Sequence, residues 1–520
     1  MKKVIFVVFL TAAAVLARAE KWQIIGPRAM GMGGAGVAAA YGADAQYWNP
    51  ALLARDDDAA RAVNAALNAG INTETTKNAL DSLSTLSDIA DRFSGIQQKI
   101  QSGGSATAQE TADIFNGLSA LENLASGGTG ALFQADAGFG LRLKKLSFSL
   151  RSYGSVGVTP KVDTLNIGLG LNPGAAGLNL SNTAAPADPT LAQASNALQN
   201  SINGNNLTAS LGNLLGMPGA SSADISNAIV NMASAGGSTP QQVLDMANQV
   251  GGGLGGLAGI INGYGAGTGS YKNNTSQANA DGGLFTEFSA GYGFKLMPGL
   301  SVGGNLKLIQ GAMAQAGVMV LSDASDVSRT VSDAFDNDKT SYNFGVDAGA
   351  LFNFGDFLGK KIPWNPQVGL TARNINNPGF ARPSKPAGSD PALDWKTGDY
   401  HLGPQLRLGA AAEPLRRLTL AADLDLTKNK TLVDGFDSRQ LAAGAEFNVI
   451  NGRSFKLPLR AGLNKNLAAD GSIMYTAGAG FYAARFNFDL TAGMSGSTTD
   501  INGAKIPSSA AAALGFGLVF

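Results

Sequence analysis

From residue 131 onward the chain alternates apolar and polar positions with period two, segment after segment. In ALFQADAGFGLRL (131–143), Phe133, Ala135, Ala137, Phe139, Leu141 and Leu143 share one phase, and Gln134, Asp136 and Arg142 share the other. In LFTEFSAGYGFKL (284–296), Phe288, Tyr292, Phe294 and Leu296 stand opposite Glu287 and Lys295. The pattern returns in 300–309, 341–353, 366–375, 404–413, 417–428, 439–449, 457–466, 472–482, 484–494 and 510–520. Strict alternation is the mark of a strand with two different faces. Asp347, Arg373, Arg407, Asp423, Asp425, Glu446, Arg460, Arg485 and Asp489 all fall in the polar phase. A lysine or arginine facing lipid at the bilayer midplane costs roughly 2–4 kcal/mol, which accounts for so clean a segregation.

Connection lengths alternate as well. Short links (144–145, 297–299, 355–363, 414–417, 450–454, 483–484) take turns with longer ones (74–130, 159–282, 314–340, 377–403, 429–438, 467–471, 495–509). That is the arrangement of outer-membrane barrels, with short periplasmic turns and long outer loops. Adding strands at 146–158 and 58–73 closes the count at fourteen, although Arg61 falls in the apolar phase of the first. The expected fold is all-β, a transmembrane antiparallel β-barrel of fourteen strands. Its last strand ends ALGFGLVF, with Leu514, Phe516, Leu518 and Phe520 at period two. A terminal aromatic in this setting is the expected C-terminal signal for the barrel-assembly machinery.

The N-terminus fixes the compartment. Lys2 and Lys3 precede an apolar run from Val4 to Leu16, followed by Ala17-Arg18-Ala19. This is the form of a signal peptide, with cleavage expected after Ala19. Residues 1–19 are therefore the expected leader, 20–54 a separate N-terminal segment and 55–520 the barrel of an exported, outer-membrane protein, with outer-membrane lipid as its surroundings.

Composition removes several function classes. With 38 basic and 38 acidic residues, the overall balance signals neither nucleic acid nor an anionic surface. There is no cysteine and a single histidine, His401, which by itself is not a metal site. No nucleophile–base pair, phosphate loop or carboxylate constellation emerges, so neither an enzyme, a cofactor nor a metal is expected. GAGTGS (265–270) lacks the strand-to-helix context of a phosphate loop. Asp423 and Asp425 share a face and are suited to a cation, but pairing with Arg407, Arg460 or Arg485 is the expected arrangement.

Residues 20–54 lack alternation and are rich in Gly and Ala, including GMGGAGVAAAYGADAQYWNPALLA (31–54). Fourteen strands enclose a lumen, and a small-residue segment packs there because its backbone can approach the wall closely. GPRAMGMGGAGVAAAYGADAQYWNPALLA (26–54) resembles the N-terminal hatch of the long-chain fatty acid transporter (FadL) family, including Asn49, Pro50 and Ala51. It is also similar to PorV-like proteins. PQVGLTARNINNPGF (366–380) and LTLAADLDLTKN (418–429) resemble barrels labelled TraF-type plasmid-transfer proteins, which are distinct from the thioredoxin-like proteins of that name.

The resemblance implies passive uptake of hydrophobic compounds, of fatty-acid or aromatic-hydrocarbon type. A hatch would gate the lumen, here through Gly33, Gly34, Trp48, Asn49, Pro50 and Ala51. It also implies lateral exit at the third strand, where Gly154 and Gly157 are the candidates for an opening. Trp48 suits either a gate element or an anchor against the wall. PorV-type relatives imply the alternative, a scaffold barrel partnering a secretion or conjugal-transfer apparatus. The loops 74–130 and 159–282 exceed what the resemblance covers, and both are expected to be partly helical. Leu80, Leu83, Leu86, Ile89, Phe93, Ile96 and Ile100 recur at helical spacing, as do Ile114, Leu118 and Leu121. Short amphipathic stretches follow in 187–250, and GGGLGGL (251–257) reads as a flexible joint.

Overall fold

The computed structural model describes residues 20–55, 63–76, 79, 99, 105–125, 127–163, 180–258, 261–262, 275–319, 338–387, 389–452, 454–469, 471–501 and 504–520. Fourteen antiparallel strands form one closed barrel. In chain order they are β1 (Val63–Thr76), β2 (Gly130–Leu143), β3 (Leu146–Lys161), β4 (Gln277–Met297), β5 (Leu300–Met319), β6 (Lys339–Asn353) and β7 (Gln367–Arg373). They continue as β8 (Gln405–Leu415), β9 (Leu418–Asp425), β10 (Gln440–Asn451), β11 (Phe455–Asn466), β12 (Met474–Ala483), β13 (Phe486–Ser495) and β14 (Ser509–Val519).

Every strand pairs with its sequence neighbours, and β1 closes the ring on β14 through Leu67 opposite Phe516 and Ala69 opposite Leu514. Val63 and Phe520 exchange backbone hydrogen bonds at the seam. The first strand lies at 63–76 rather than 58–73, and Arg61 is outside the described residues. The expected leader, 1–19, is outside them too.

Closure explains the alternation. The outer wall carries Leu67, Phe133, Phe139, Leu150, Phe288, Leu306, Phe344, Tyr475, Phe488 and Leu514, all exposed, while Arg142, Arg151, Glu287, Lys307, Arg407 and Arg460 are buried inside. Such an apolar belt has a lipid bilayer as its solvent, and closure leaves no strand edge unpaired in it. Arg485 departs from its expected inward phase. It sits exposed in the short turn between β12 and β13, so it is not a lumenal partner for the aspartates.

A membrane-spanning strand needs only about 9–11 residues, so β4 at 21 residues and β5 at 20 extend well past the bilayer on the long-loop side. That side also carries three two-stranded hairpins, at 379–381 with 399–401, 429–430 with 437–438, and 498–501 with 504–507. Above them stands a helical cap: α1 (Ala108–Ala125), α2 (Pro189–Gly204), α3 (Thr208–Leu214), α4 (Ser222–Ala235) and α5 (Pro240–Gly253).

The helix starts are well specified. Asp188 caps α2, and capping boxes Ser221/Asp224 and Thr239/Gln242 open α4 and α5. Leu198, Ile202, Leu211, Ile225, Ile229 and Val243 fill a core of the cap's own. GGGLGGL is not a joint: its first glycines end α5 and Leu254–Leu257 continues as a 3-10 turn, because Leu254 and Leu257 are drawn into that core. Apart from Ala79 and Lys99, the helical pattern at 78–100 lies outside the described residues.

Candidate functional site

Residues 20–55 occupy the barrel lumen as a plug of short turns, with helices at Pro27–Gly31 and Ala45–Trp48 and 3-10 turns at Gly42–Asp44 and Pro50–Ala54. The small residues do what their size permits. A Cβ built at Gly33, which has φ +71°, would lie 2.8 Å from the backbone nitrogen of Leu463, so main chain rests on main chain. The Gly33 amide donates to Thr476 Oγ1 (3.1 Å), and its carbonyl accepts from Asn464 Nδ2 (2.8 Å). Gly34, φ +95°, turns the chain back under Ile24.

The wall is relieved opposite the plug. Inward-facing Gly293, Gly303, Gly349, Gly369, Gly444 and Gly462 lie on six different strands, and a methyl at any of them would strike plug atoms. Pro50 and Ala51 press on Gly293 and Gly303, and Val37 and Met32 press on Gly369 and Gly444.

Asn49 ties the middle of the plug together. Its side chain donates to the carbonyls of Val37 (3.1 Å) and Ala350 (3.0 Å) and accepts from the Ala51 amide (3.0 Å), capping the turn that Pro50 begins. Trp48 is fully buried, stacks on Trp22 at 6.2 Å, meets Tyr47 edge-on at 5.7 Å and donates to the Ile25 carbonyl (3.1 Å). Its ring contacts are with Trp22 and Tyr47 of the plug itself and with Arg407 of the wall. Burial raises the pKa of the Tyr47 phenol, which stays protonated and donates to the Gln23 carbonyl (2.7 Å).

Charge holds the plug from the sides. Arg28 grips Glu446 with two bonds (2.8 and 3.1 Å), and Arg460 joins the same carboxylate (2.7 Å) while also binding Asp489 (2.5 Å). Asp423 accepts the Gly36 and Val37 amides (2.8 and 3.0 Å), and Asp425 pairs with Arg407 at 3.1 Å. Of the three arginines expected as partners for these aspartates, Arg407 fills the role. Its guanidinium also lies over the rings of Trp22 and Trp48 (5.2 and 5.7 Å).

A second closure lies above, which sequence reasoning missed. The 374–404 loop turns inward, and its hairpin delivers Phe380 and Tyr400 into the lumen against Phe285 (5.2 and 5.8 Å), with Tyr153, Ile309 and Met313. The signal was present, since Tyr153 and Phe285 are aromatics in the otherwise polar phase of their strands. Glu287 bridges the two layers, accepting from Tyr153 Oη (2.8 Å) and meeting Arg373 (3.5 Å), whose guanidinium sits 4.0 Å over Tyr47. His401 is in the hairpin, its Nδ1 3.3 Å from the Asn377 carbonyl. No cluster of metal-ligating side chains occurs among the described residues.

Gly154 and Gly157 do not share a face. Gly154 points outward, and Gly157 points inward against the backbone of Leu432. At both, β3 is paired without interruption, Gly154 between Ala135 and Leu284 and Gly157 between Leu132 and Asp281, so the wall here is continuous. Leu514, Phe516 and Phe520 are exposed on the outer wall beside the seam, and Leu518 is half-buried there. Below the plug, a cavity of 530 Å³ opens at the short-turn end, lined by Arg28, Tyr41, Arg416, Arg417, Glu446 and Tyr482 among others.

A closed barrel with an apolar outer belt, a charged lumen and a plug from its own N-terminus defines a plugged β-barrel of the outer membrane. The family model described as F plasmid transfer operon, TraF, protein matches residues 46–425, and the chain belongs to that family. No curated protein sequence matches it.

Among solved structures it is similar to the toluene transporter TbuX of Ralstonia pickettii, with 11% identity over 95% of this chain and 98% of that one and a TM-score of 0.42. It is similar to the toluene transporter TodX of P. putida with 11% identity, 96% and 99% coverage and a TM-score of 0.40. A FadL homologue of Pseudomonas aeruginosa matches with 10% identity, 96% and 99% coverage and a TM-score of 0.36.

Proposed function

We propose that this barrel admits small apolar molecules across the outer membrane, with residues 20–54 as the gate. The observation that supports this most is the aromatic column along the lumen: Tyr400, Phe380, Phe285 and Tyr153 above, Trp22, Tyr47 and Trp48 below, joined through Arg373 and Glu287. Aromatic faces offer sequential resting places to an apolar guest, while the ion pairs around them keep the resting barrel shut. The structure is the closed state under this reading, and passage requires the 374–404 loop and the plug to shift in turn. The scaffold reading, a barrel that partners a secretion or transfer apparatus, draws support from the helical cap, whose separate core is more than a gate requires.

Native mass spectrometry of the barrel extracted from its own membrane separates the two. Transport predicts a discrete apolar adduct, kept by Trp48→Phe and lost in Trp48→Ala, which removes about 3–5 kcal/mol of plug packing. An unliganded barrel arriving with a stoichiometric protein partner would sink the transport reading.

The exit is tested at β3. A side chain at Gly154 makes only ordinary contacts, the nearest at 3.5 Å, so Gly154→Val is expected to fold normally. Slower toluene uptake by that variant is the result expected of lateral release through a transient parting of β3. Unchanged uptake would remove the lateral route and leave the cavity beneath the plug. Gly157→Val is the contrasting case, because it must push the 429–438 hairpin off the wall.

A further inference from the structure

The balanced net charge hides a segregation in space. On the short-turn side, three successive hairpin turns, β2–β3, β4–β5 and β6–β7, form one platform. The Gly293 amide donates to the Lys145 carbonyl (3.1 Å), and the Asn353 amide donates to the Gly299 carbonyl (2.7 Å). A Cβ at Gly299 would lie 2.5 Å from Phe357 Cβ, so the β4–β5 turn is packed on the β6–β7 turn. These turns carry Lys144, Lys145, Lys360 and Lys361, and Asp356 is the single acid among their described residues.

Beside the lysines stand large apolar side chains open to the surroundings. In the β6–β7 turn, FGDFLGKKIPWNP (354–366), Phe357 is 49%, Leu358 52% and Trp364 64% exposed. Trp364 is held outward by a left-handed backbone, φ +68°, with its carbonyl accepting from the Glu413 amide (2.6 Å). A bulky residue in that conformation is costly and points to a role for the display. Leu296, Met297, Leu143 and Leu146 continue the apolar surface upward into the lipid-facing belt.

We propose that this platform is a binding surface for anionic phospholipid of the periplasmic leaflet. Trp364, Phe357 and Leu358 enter the headgroup–acyl boundary, and Lys144, Lys145, Lys360 and Lys361 bind the phosphates on its periplasmic side. Aromatic rings with lysines at that depth match the chemistry of an interfacial anchor, and a cluster of cations at a membrane surface selects anionic lipid. Continuity with the lipid belt favours lipid over an acidic protein segment. Arg416 and Arg417 are different, because they line the cavity under the plug.

The test uses the full-length barrel in nanodiscs of phosphatidylcholine with phosphatidylglycerol and spin-labelled versions of each lipid. The wild type is expected to immobilise phosphatidylglycerol about threefold over phosphatidylcholine, a preference that 0.5 M salt reduces toward one. Lys144→Gln/Lys145→Gln/Lys360→Gln/Lys361→Gln abolishes the preference and the corresponding arginine substitutions retain it, while Lys339→Gln/Lys505→Gln at the opposite end leaves it unchanged. Melting temperatures establish that each variant is folded. Equal retention of the two lipids by the wild type, or a preference surviving in the quadruple glutamine variant, overturns the proposal. So does lysine-dependent capture of an acidic protein with no lipid preference.

Discussion

Gly462→Val is expected to unseat the plug while leaving a barrel. The inward face of β11 at this position touches the Gly33 amide nitrogen and the Met32 backbone, and Thr476 Oγ1 lies 2.8 Å from where a Cβ would stand. Two main chains meet there, so no flexible side chain can swing aside. Overpacking of a rigid contact costs about 1–3 kcal/mol, and this one sits at the upper end because neither backbone can yield. Gly33 at φ +71° then loses its bonds to Thr476 and Asn464, and Arg28 is drawn from Glu446. The outer belt, on the other face of β11, is untouched. The expected readout is protease cleavage within 20–54 and new leakage of small hydrophilic dyes, with heat-modifiable migration of the barrel retained. A plug as protected as the wild type's would show that the seat is not where it is held.

Glu446→Leu has the second large expected effect, through charge rather than volume. Glu446 holds two arginines, Arg28 from the plug at 2.8 Å and Arg460 from the wall at 2.7 Å. Leucine removes the acceptor and leaves the guanidiniums facing each other in a buried site. Removing one partner of a buried pair costs about 3–5 kcal/mol, most of it the unpaired charge left behind. Asp489 still neutralises Arg460 at 2.5 Å, so the penalty falls on Arg28 and the plug, not on the wall. A marked drop in melting temperature with a loosened plug is expected, and Arg28→Met in the same chain should restore much of it. Additive losses in the double variant would refute this account.

The barrel was legible because lipid imposes a rule at every second residue. That rule located the wall strands, and the link lengths settled their number and direction. The first strand was displaced at its start: the clean alternation, Ala65, Leu67, Ala69 and Ile71 against Asn64, Asn68 and Asn72, begins only after Arg61, a charge in the apolar phase. Arg485 kept the rhythm of its neighbours while lying in a turn, where period two has no meaning.

Residues of the plug were visible as a Gly- and Ala-rich run, but their seats were not. The glycines that receive them are scattered from 293 to 462 and become a set only when the sheet curls. The inward fold of 374–404 was hidden for a related reason. Phe380 and Tyr400 are ordinary loop aromatics until Tyr153 and Phe285 are seen to face them across the lumen. Leu254 and Leu257 were masked by the glycines around them, which tell of flexibility only when nothing packs on them.

The seam between β1 and β14 bears on how the molecule is made. First and last strands meet there, so the ring cannot close until the final residues have been delivered. The plug, which precedes β1 in the chain, is already available by then, and wall strands from β4 to β11 are moulded to its shape. The N-terminal segment thus has the place of a mandrel within the closed sheet, and a sheet that curls around it would complete its seats and the seam together. A chain lacking 20–54 should accordingly assemble slowly and accumulate as an open sheet, a defect of biogenesis separate from any defect of gating.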